Sequence, residues 1–221
     1  MTGPAETLSP HRFLVVEGPI GVGKSSLARR LSETYGASLL MENAAENPFL
    51  ERFYRDPRAL ALPTQLSFLF QRVRQLRRLK QGELFRPHAV SDYLFAKDRL
   101  FARLNLDDDE FELYEEIYRR FVEDLPRPDL VLYLQAPVDV LARRISRRGV
   151  PYEQYIRRSY LEQVADAYAD FFHHYEEAPL LIVNAASINP IEDDEDYAAL
   201  LEEIARVRHG RNFFNPAVRY G

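Results

Sequence analysis

Eight consecutive residues, Gly18-Pro19-Ile20-Gly21-Val22-Gly23-Lys24-Ser25, fit the pattern G-x-x-x-x-G-K-[ST], and a second hydroxyl, Ser26, follows. The chemistry available to such a stretch is the holding of phosphate. Its glycines let the backbone turn tightly and aim successive N–H groups inward at phosphate oxygens. A helix opening near Lys24 adds its positive end. The Lys24 ammonium can reach the β- and γ-phosphates of a nucleoside triphosphate, and the Ser25 hydroxyl can join a Mg²⁺ shell. A chain of this length holds the pattern by accident about one time in a hundred. Here it lies between a short apolar run and an amphipathic stretch, the context a phosphate-binding loop requires.

The elements that must position this loop read as alternating strand and helix. Residues 12–17 (RFLVVE) form a buried strand ending at glycine, and residues 24–35 place Leu27, Ala28 and Leu31 on one side of a helix. Further strands are predicted over 38–41, 88–92, 130–134 and 180–184. Helices are predicted over 63–80, 110–125, 138–148, 158–177 and 193–208, with Gly149 a suitable stop for the third of these. The acidic stretches 107–110 and 192–196 suit helix N-termini, where the macrodipole favours carboxylates. Strands separated by helices predict an α/β fold of P-loop type: three layers, α/β/α, around a parallel sheet of about five strands. One domain over 1–221 is expected, with a tail over 209–221 whose docking the sequence leaves open.

Composition narrows the function classes. With 221 residues, 46% hydrophobic and 29% charged, the chain is ordinary for a globular protein. No apolar run approaches the roughly 18–20 residues that span a bilayer. The first dozen residues lack the basic-then-apolar order of a secretory signal, so a cytoplasmic protein is expected. The absence of cysteine removes disulfides, thiolate catalysis and Cys-ligated metals. A net charge of −5 argues against nucleic acid as partner but not against a small phosphate ligand.

Beyond the loop, the segments MEN, FYRDP, PTQ with an arginine seven residues on, SDYLFAKD, PDLVLYL and RRISRRGVPYEQ, in that order, resemble the deoxynucleoside kinase family over about residues 12–184. The resemblance implies ATP as phosphoryl donor, Mg²⁺, a deoxynucleoside acceptor, commonly a homodimer, and no nucleic-acid or membrane partner. It implies that Glu42 is the general base, since a carboxylate at the C-terminal edge of a parallel sheet can take the proton of an attacking hydroxyl. Gln65 and Arg72 correspond to base readers, and a spacing of seven puts both on one helical stripe with Phe68 and Leu69. Asp98 matches the aspartate beside that arginine. Tyr54 and Glu153 match the pair that holds the sugar 3′-hydroxyl, the ring closing the space of a ribose 2′-hydroxyl. Arg144 and Arg148, four apart just before Gly149, match lid arginines that stabilise transferring phosphate, the lid lying around 144–154.

The chain also departs from the family pattern. Acidic–Arg–Ser after the third strand reads here Asp92-Tyr93-Leu94. Asp92 keeps a carboxylate able to ligate Mg²⁺, directly or through water. Tyr93 lies in the acceptor region but cannot neutralise charge, so Arg99 or Lys97 must substitute, or the acceptor is held differently. Val150 replaces a third lid arginine, and Asn47 stands in the place of a pocket tryptophan. A thymidylate-type kinase is the nearest rival. It would carry arginines where Met41 and Tyr93 stand, so an uncharged acceptor is expected, a purine deoxynucleoside (deoxyguanosine or deoxyadenosine) ahead of deoxycytidine. A GTPase-like switch or assembly ATPase is the other class, but Asp-x-x-Gly and Asn-Lys-x-Asp are missing and the strand 130–134 runs into Gln135.

Overall fold

The computed structural model describes residues 11–82 and 88–215. The end of the tail, from 216 and including Tyr220, lies outside the described residues, as do residues 1–10 of the stretch read for a signal. The chain runs β1 (Phe13–Glu17), α1 (Lys24–Thr34), β2 (Ser38–Leu40), α2 (Leu50–Arg55), α3 (Pro57–Gly82), β3 (Ala89–Ser91), α4 (Lys97–Asn105) and α5 (Asp108–Val122). It continues through β4 (Leu130–Gln135), α6 (Val138–Arg148), α7 (Arg158–His173), β5 (Leu180–Asn184), α8 (Asp194–Arg206) and β6 (Arg211–Phe214). Single 3-10 turns occupy Ala44–Glu46 and Pro151–Tyr155.

All six strands are parallel, in the order β2-β3-β1-β4-β5-β6. Alternation along each strand divides the core into two layers. Val15, Val131 and Tyr133 face a cluster with Leu69 and Val73 of α3, Leu100 of α4, Tyr114 of α5 and Phe172 of α7. Leu14, Val16, Leu132 and Leu181 face the opposite cluster with Leu27 and Leu31 of α1, Leu141 of α6 and Leu200 of α8. A parallel sheet covered on both faces is the predicted three-layer architecture. The sixth strand, beyond the five expected, is the tail folded back on β5, with Leu180 beside Arg211 and Val183 beside Phe214.

Local signals set several boundaries. Asp107 caps α5 in a reciprocal box with Glu110, and the Asp193 carboxylate accepts from the Glu195 and Asp196 N–H groups at the head of α8. Gly149 ends α6 at φ 66°, as expected. Helix α3 starts at Pro57 rather than Pro63. A proline reads as a helix start because its missing N–H is wasted nowhere else; here Pro57 holds the first position and Pro63 lies inside, leaving the Ala59 carbonyl without its usual donor. The short helices α2 and α4 were not expected from periodicity. In α4, buried Lys97 and Asp98 break the apolar stripe by which a buried helix face is recognised.

Candidate active site

The carboxyl ends of β1, β2 and β3 meet at the phosphate loop. Gly18 and Gly21 are held at φ 152° and 84°. A Cβ on Gly18 would come within 2.4 Å of the Leu134 carbonyl oxygen, and one on Gly21 within 2.9 Å of the Leu141 carbonyl oxygen, so only glycine fits at either. Lys24 Nζ donates to the carbonyls of Gly18 (2.7 Å) and Pro19 (3.2 Å), acceptors whose place phosphate oxygens can take. Burial pulls the Lys24 ammonium below the ordinary lysine range despite the neighbouring carboxylates Glu17 and Glu42.

Asp92, just past β3, ties the two halves of the site together. Its Oδ2 accepts from Ser25 Oγ at 2.6 Å and its Oδ1 from the Glu42 N–H at 2.6 Å. Burial pushes the Asp92 carboxyl up, and those two hydrogen bonds only partly offset it, so a cation beside it would relieve the cost. Among the described residues no cluster of three or more His, Asp or Glu forms a metal cage. Mg²⁺ is typically held by one or two carboxylates with waters and substrate phosphates, and the Ser25 hydroxyl beside the Asp92 carboxylate has the chemistry of such a donor set.

Opposite the loop lies a cavity of about 320 Å³. Glu42, Tyr54, Gln65, Arg72, Arg148 and Glu153 all line it, together with Lys24 and Ser25, so residues from across the chain converge on one cavity. Arg72 Nε donates to Glu42 Oε1 at 2.8 Å, its NH2 to the same oxygen, and its NH1 to Asp98 Oδ1. The guanidinium also lies 4.9 Å from the Phe68 ring centre. Burial alone would raise the Glu42 carboxyl, but Arg72, then Lys97 and Lys24, overcome it and hold Glu42 at about 2. The Tyr54 ring stacks on Tyr152 at 6.3 Å, and burial drives its hydroxyl well above the usual tyrosine range. Arg148 pairs with Glu153 on the cavity wall. Arg144 instead clamps backbone, donating to the Val22 carbonyl (2.9 Å) and the Ala185 carbonyl (2.8 Å).

Two residues expected at the acceptor do not stand on the cavity wall. Tyr93 is 1% exposed and belongs to the core cluster with rings of α5 and α7, while the Arg72 guanidinium lies 5.8 Å from its ring centre. Asp98 is fully buried and reaches the cavity through Arg72; its Oδ2 has no hydrogen-bond partner among the described residues. Conversely, sequence reasoning passed over Glu17. Fully buried at the end of β1, it accepts from the Gly18 N–H (2.9 Å), the Leu94 N–H (2.6 Å) and the Tyr168 hydroxyl (2.9 Å). A lone carboxylate closing the apolar run RFLVVE was the available signal. Gln71 and Gln75 of α3 were also missed; they hold the Asn43 and Met41 carbonyls, at 3.0 and 3.1 Å, and so fix the segment that carries Glu42.

A glycine loop at the head of α1, a Ser25–Asp92 pair beside it and a carboxylate-lined cavity across from it define a P-loop phosphotransferase. The family described as deoxynucleoside kinase matches residues 14–208. The deoxyguanosine kinase of Bacillus subtilis is 34% identical over 171 residues, covering 75% of this chain and 81% of that protein. The deoxyadenosine kinase of Lactobacillus acidophilus is 27% identical over 207 residues, covering 87% and 94%. Among solved structures, deoxyadenosine kinase from M. mycoides with bound dATP superposes with a TM-score of 0.76 at 24% identity, covering 88% of this chain and 99% of that one, which shows the common fold. The chain belongs to the deoxynucleoside kinase family.

Proposed function

We propose that this protein transfers the γ-phosphoryl group of ATP to the 5′-hydroxyl of a purine deoxynucleoside, deoxyguanosine or deoxyadenosine. The observation that carries the reading is Glu42: its backbone N–H is held by Asp92, and its carboxylate lines one cavity with Lys24, Ser25 and the base readers Gln65 and Arg72. The 5′-oxygen attacks the γ-phosphorus in line. The new O–P bond forms as the bond to the β–γ bridging oxygen breaks, ADP leaves with that electron pair, and the hydroxyl proton passes to Glu42. Lys24 exchanges the Gly18 and Pro19 carbonyls for phosphate oxygens, and Arg148 offsets charge from the lid over 144–154. Arg144 steadies the loop through Val22 and is placed to add its charge when the lid closes. Mg²⁺, when bound, would be held by Ser25 and Asp92 and would neutralise charge on the phosphates.

Base choice rests on Arg72 and Asp98. The Arg72 guanidinium, held from behind by fully buried Asp98, lines the cavity and can donate to guanine O6 or to adenine N7, while Gln65 on the same wall can both donate and accept. Tyr54 and Glu153 hold the sugar 3′-hydroxyl and close off the 2′ side. Offered deoxyguanosine, deoxyadenosine, deoxycytidine, thymidine and thymidylate with labelled ATP and Mg²⁺, the protein is expected to label the purine deoxynucleosides fastest. Label on none of the nucleosides would overturn the reading, and label on thymidylate alone would make the protein a nucleoside monophosphate kinase.

The same reading makes 1–221 a single kinase domain acting in the cytoplasm as a homodimer. No helix among the described residues is long and apolar enough to cross a membrane. Phe70 of α3 and Leu113 of α5, 40% and 48% exposed, give the two long helices an apolar outer face suited to a second copy. Sedimentation at twice the chain mass, reduced to the chain mass by Phe70→Glu, is the expected result.

A further inference from the structure

We propose that Lys97 is the positioning residue that holds Glu42 in place for proton transfer, the cation missing at position 93. The proposal rests on Glu42 being the base. Lys97 opens α4 and is 2% exposed. Its Nζ lies 3.3 Å from Glu42 Oε1, 3.4 Å from Glu42 Oε2 and 3.6 Å from Glu17 Oε2. A buried ammonium is costly unless paired, and here it has two carboxylates, one of them wholly enclosed.

The far partner gives this arrangement its use. Glu17 is fastened to backbone on both sides of the site, to the Gly18 N–H of the phosphate loop and to the Leu94 N–H after β3. Lys97 therefore connects Glu42 to a carboxylate whose position is set by the donor loop itself. The near partner has a competing commitment. Arg72 is shared between Glu42 and Asp98, and a nucleobase that recruits its guanidinium must draw it from Glu42. Lys97 then remains as the lysine in contact with both Glu42 and the loop-bound Glu17, and it keeps the carboxylate aimed at the acceptor hydroxyl.

Other candidates for this charge are occupied or unsuitable. Arg99 turns outward to Glu115, with Nε 2.6 Å from Oε1. Tyr93 points into the core, its hydroxyl buried and without a hydrogen-bond partner among the described residues.

The test is a cycle of Lys97→Met and Glu42→Gln, with Lys97→Arg as the conservative variant, read as kcat and as KM for ATP and deoxynucleoside separately. Lys97→Met is expected to lower kcat by about 10²-fold, the scale on which a misplaced reacting group acts, with the KM for ATP within about twofold of the parent. Lys97→Arg is expected to recover most of the loss. In the Glu42→Gln background, Lys97→Met should cost at most a few-fold more, because residues acting as a unit are not additive. An equal loss in both backgrounds, or no recovery with arginine, would overturn the proposal by making Lys97 structural. Full kcat in Lys97→Met beside a slow Glu42→Gln would remove Lys97 and leave the base standing. Full kcat in Glu42→Gln would remove the base itself and both readings with it. If Lys97→Met does not fold, Lys97→Gln, which keeps most of the length without the charge, takes its place in the same cycle.

Discussion

The phosphate loop forms part of the wall of the cavity beside it, yet the two are built on opposite principles. The loop is eight consecutive residues whose function lies in backbone: glycines at positive φ and one lysine folded back on the loop's own carbonyls. The cavity is a set of buried charges drawn from β1, α3, α4, the β2–α2 segment and the β3 exit. Its members position one another: Glu17 with Lys97, Lys97 with Glu42, Glu42 with Arg72, Arg72 with Asp98. A local motif binds any triphosphate. A network spread over the fold can register which acceptor has arrived, because each charge that moves releases its neighbour.

Variants can break this contrast. On the donor side Lys24→Met should lower kcat about 10²–10³-fold with every acceptor alike, since it removes charge stabilisation of the transferring group; steady-state rates across the nucleoside panel check the uniformity. On the acceptor side Arg72→Met should act selectively. Its expected effect is a loss of about 10²-fold in kcat/KM for the preferred purine and much less for poor substrates, because only the preferred base forfeits paired hydrogen bonds. A uniform loss would make Arg72 a structural partner of Glu42 and Asp98. Smaller still, Tyr54→Leu should narrow the preference for deoxynucleoside over ribonucleoside by about tenfold, measured by competition between the two. An unchanged ratio would place the 2′ barrier elsewhere, with the stacked Tyr152 the next candidate.

Legibility in the sequence follows the same division. The loop, the strands at 12–17 and 130–134, the Gly149 stop and the acidic caps at Asp107 and Asp193 were all readable, because each is specified by neighbours in the chain. Glu42, Gln65, Arg72, Tyr54 and Glu153 were nameable through the order of segments, and they share one cavity. What the sequence hid was burial of charge. Asp98 was nameable as the partner of Arg72 only through the resemblance, and its full burial was not legible; Lys97 was one of two candidate cations, and only the fold brings Glu17 and Glu42 against it. The same blindness hid the burial of Tyr93, whose ring lies in the core behind Arg72, and left Glu17 as the mere end of a strand. The tail strand β6 was hidden because four residues after a glycine carry too short a pattern to distinguish an edge strand from a loop.

Single-turnover transfer from labelled ATP to saturating deoxyguanosine or deoxyadenosine, with the parent protein and Glu42→Gln side by side, tests the account most directly. It predicts labelled 5′-monophosphate from the parent and a rate about 10²–10⁴-fold lower from the variant, with both nucleotide and nucleoside still bound. A variant as fast as the parent, or a parent that labels neither purine deoxynucleoside, would contradict it.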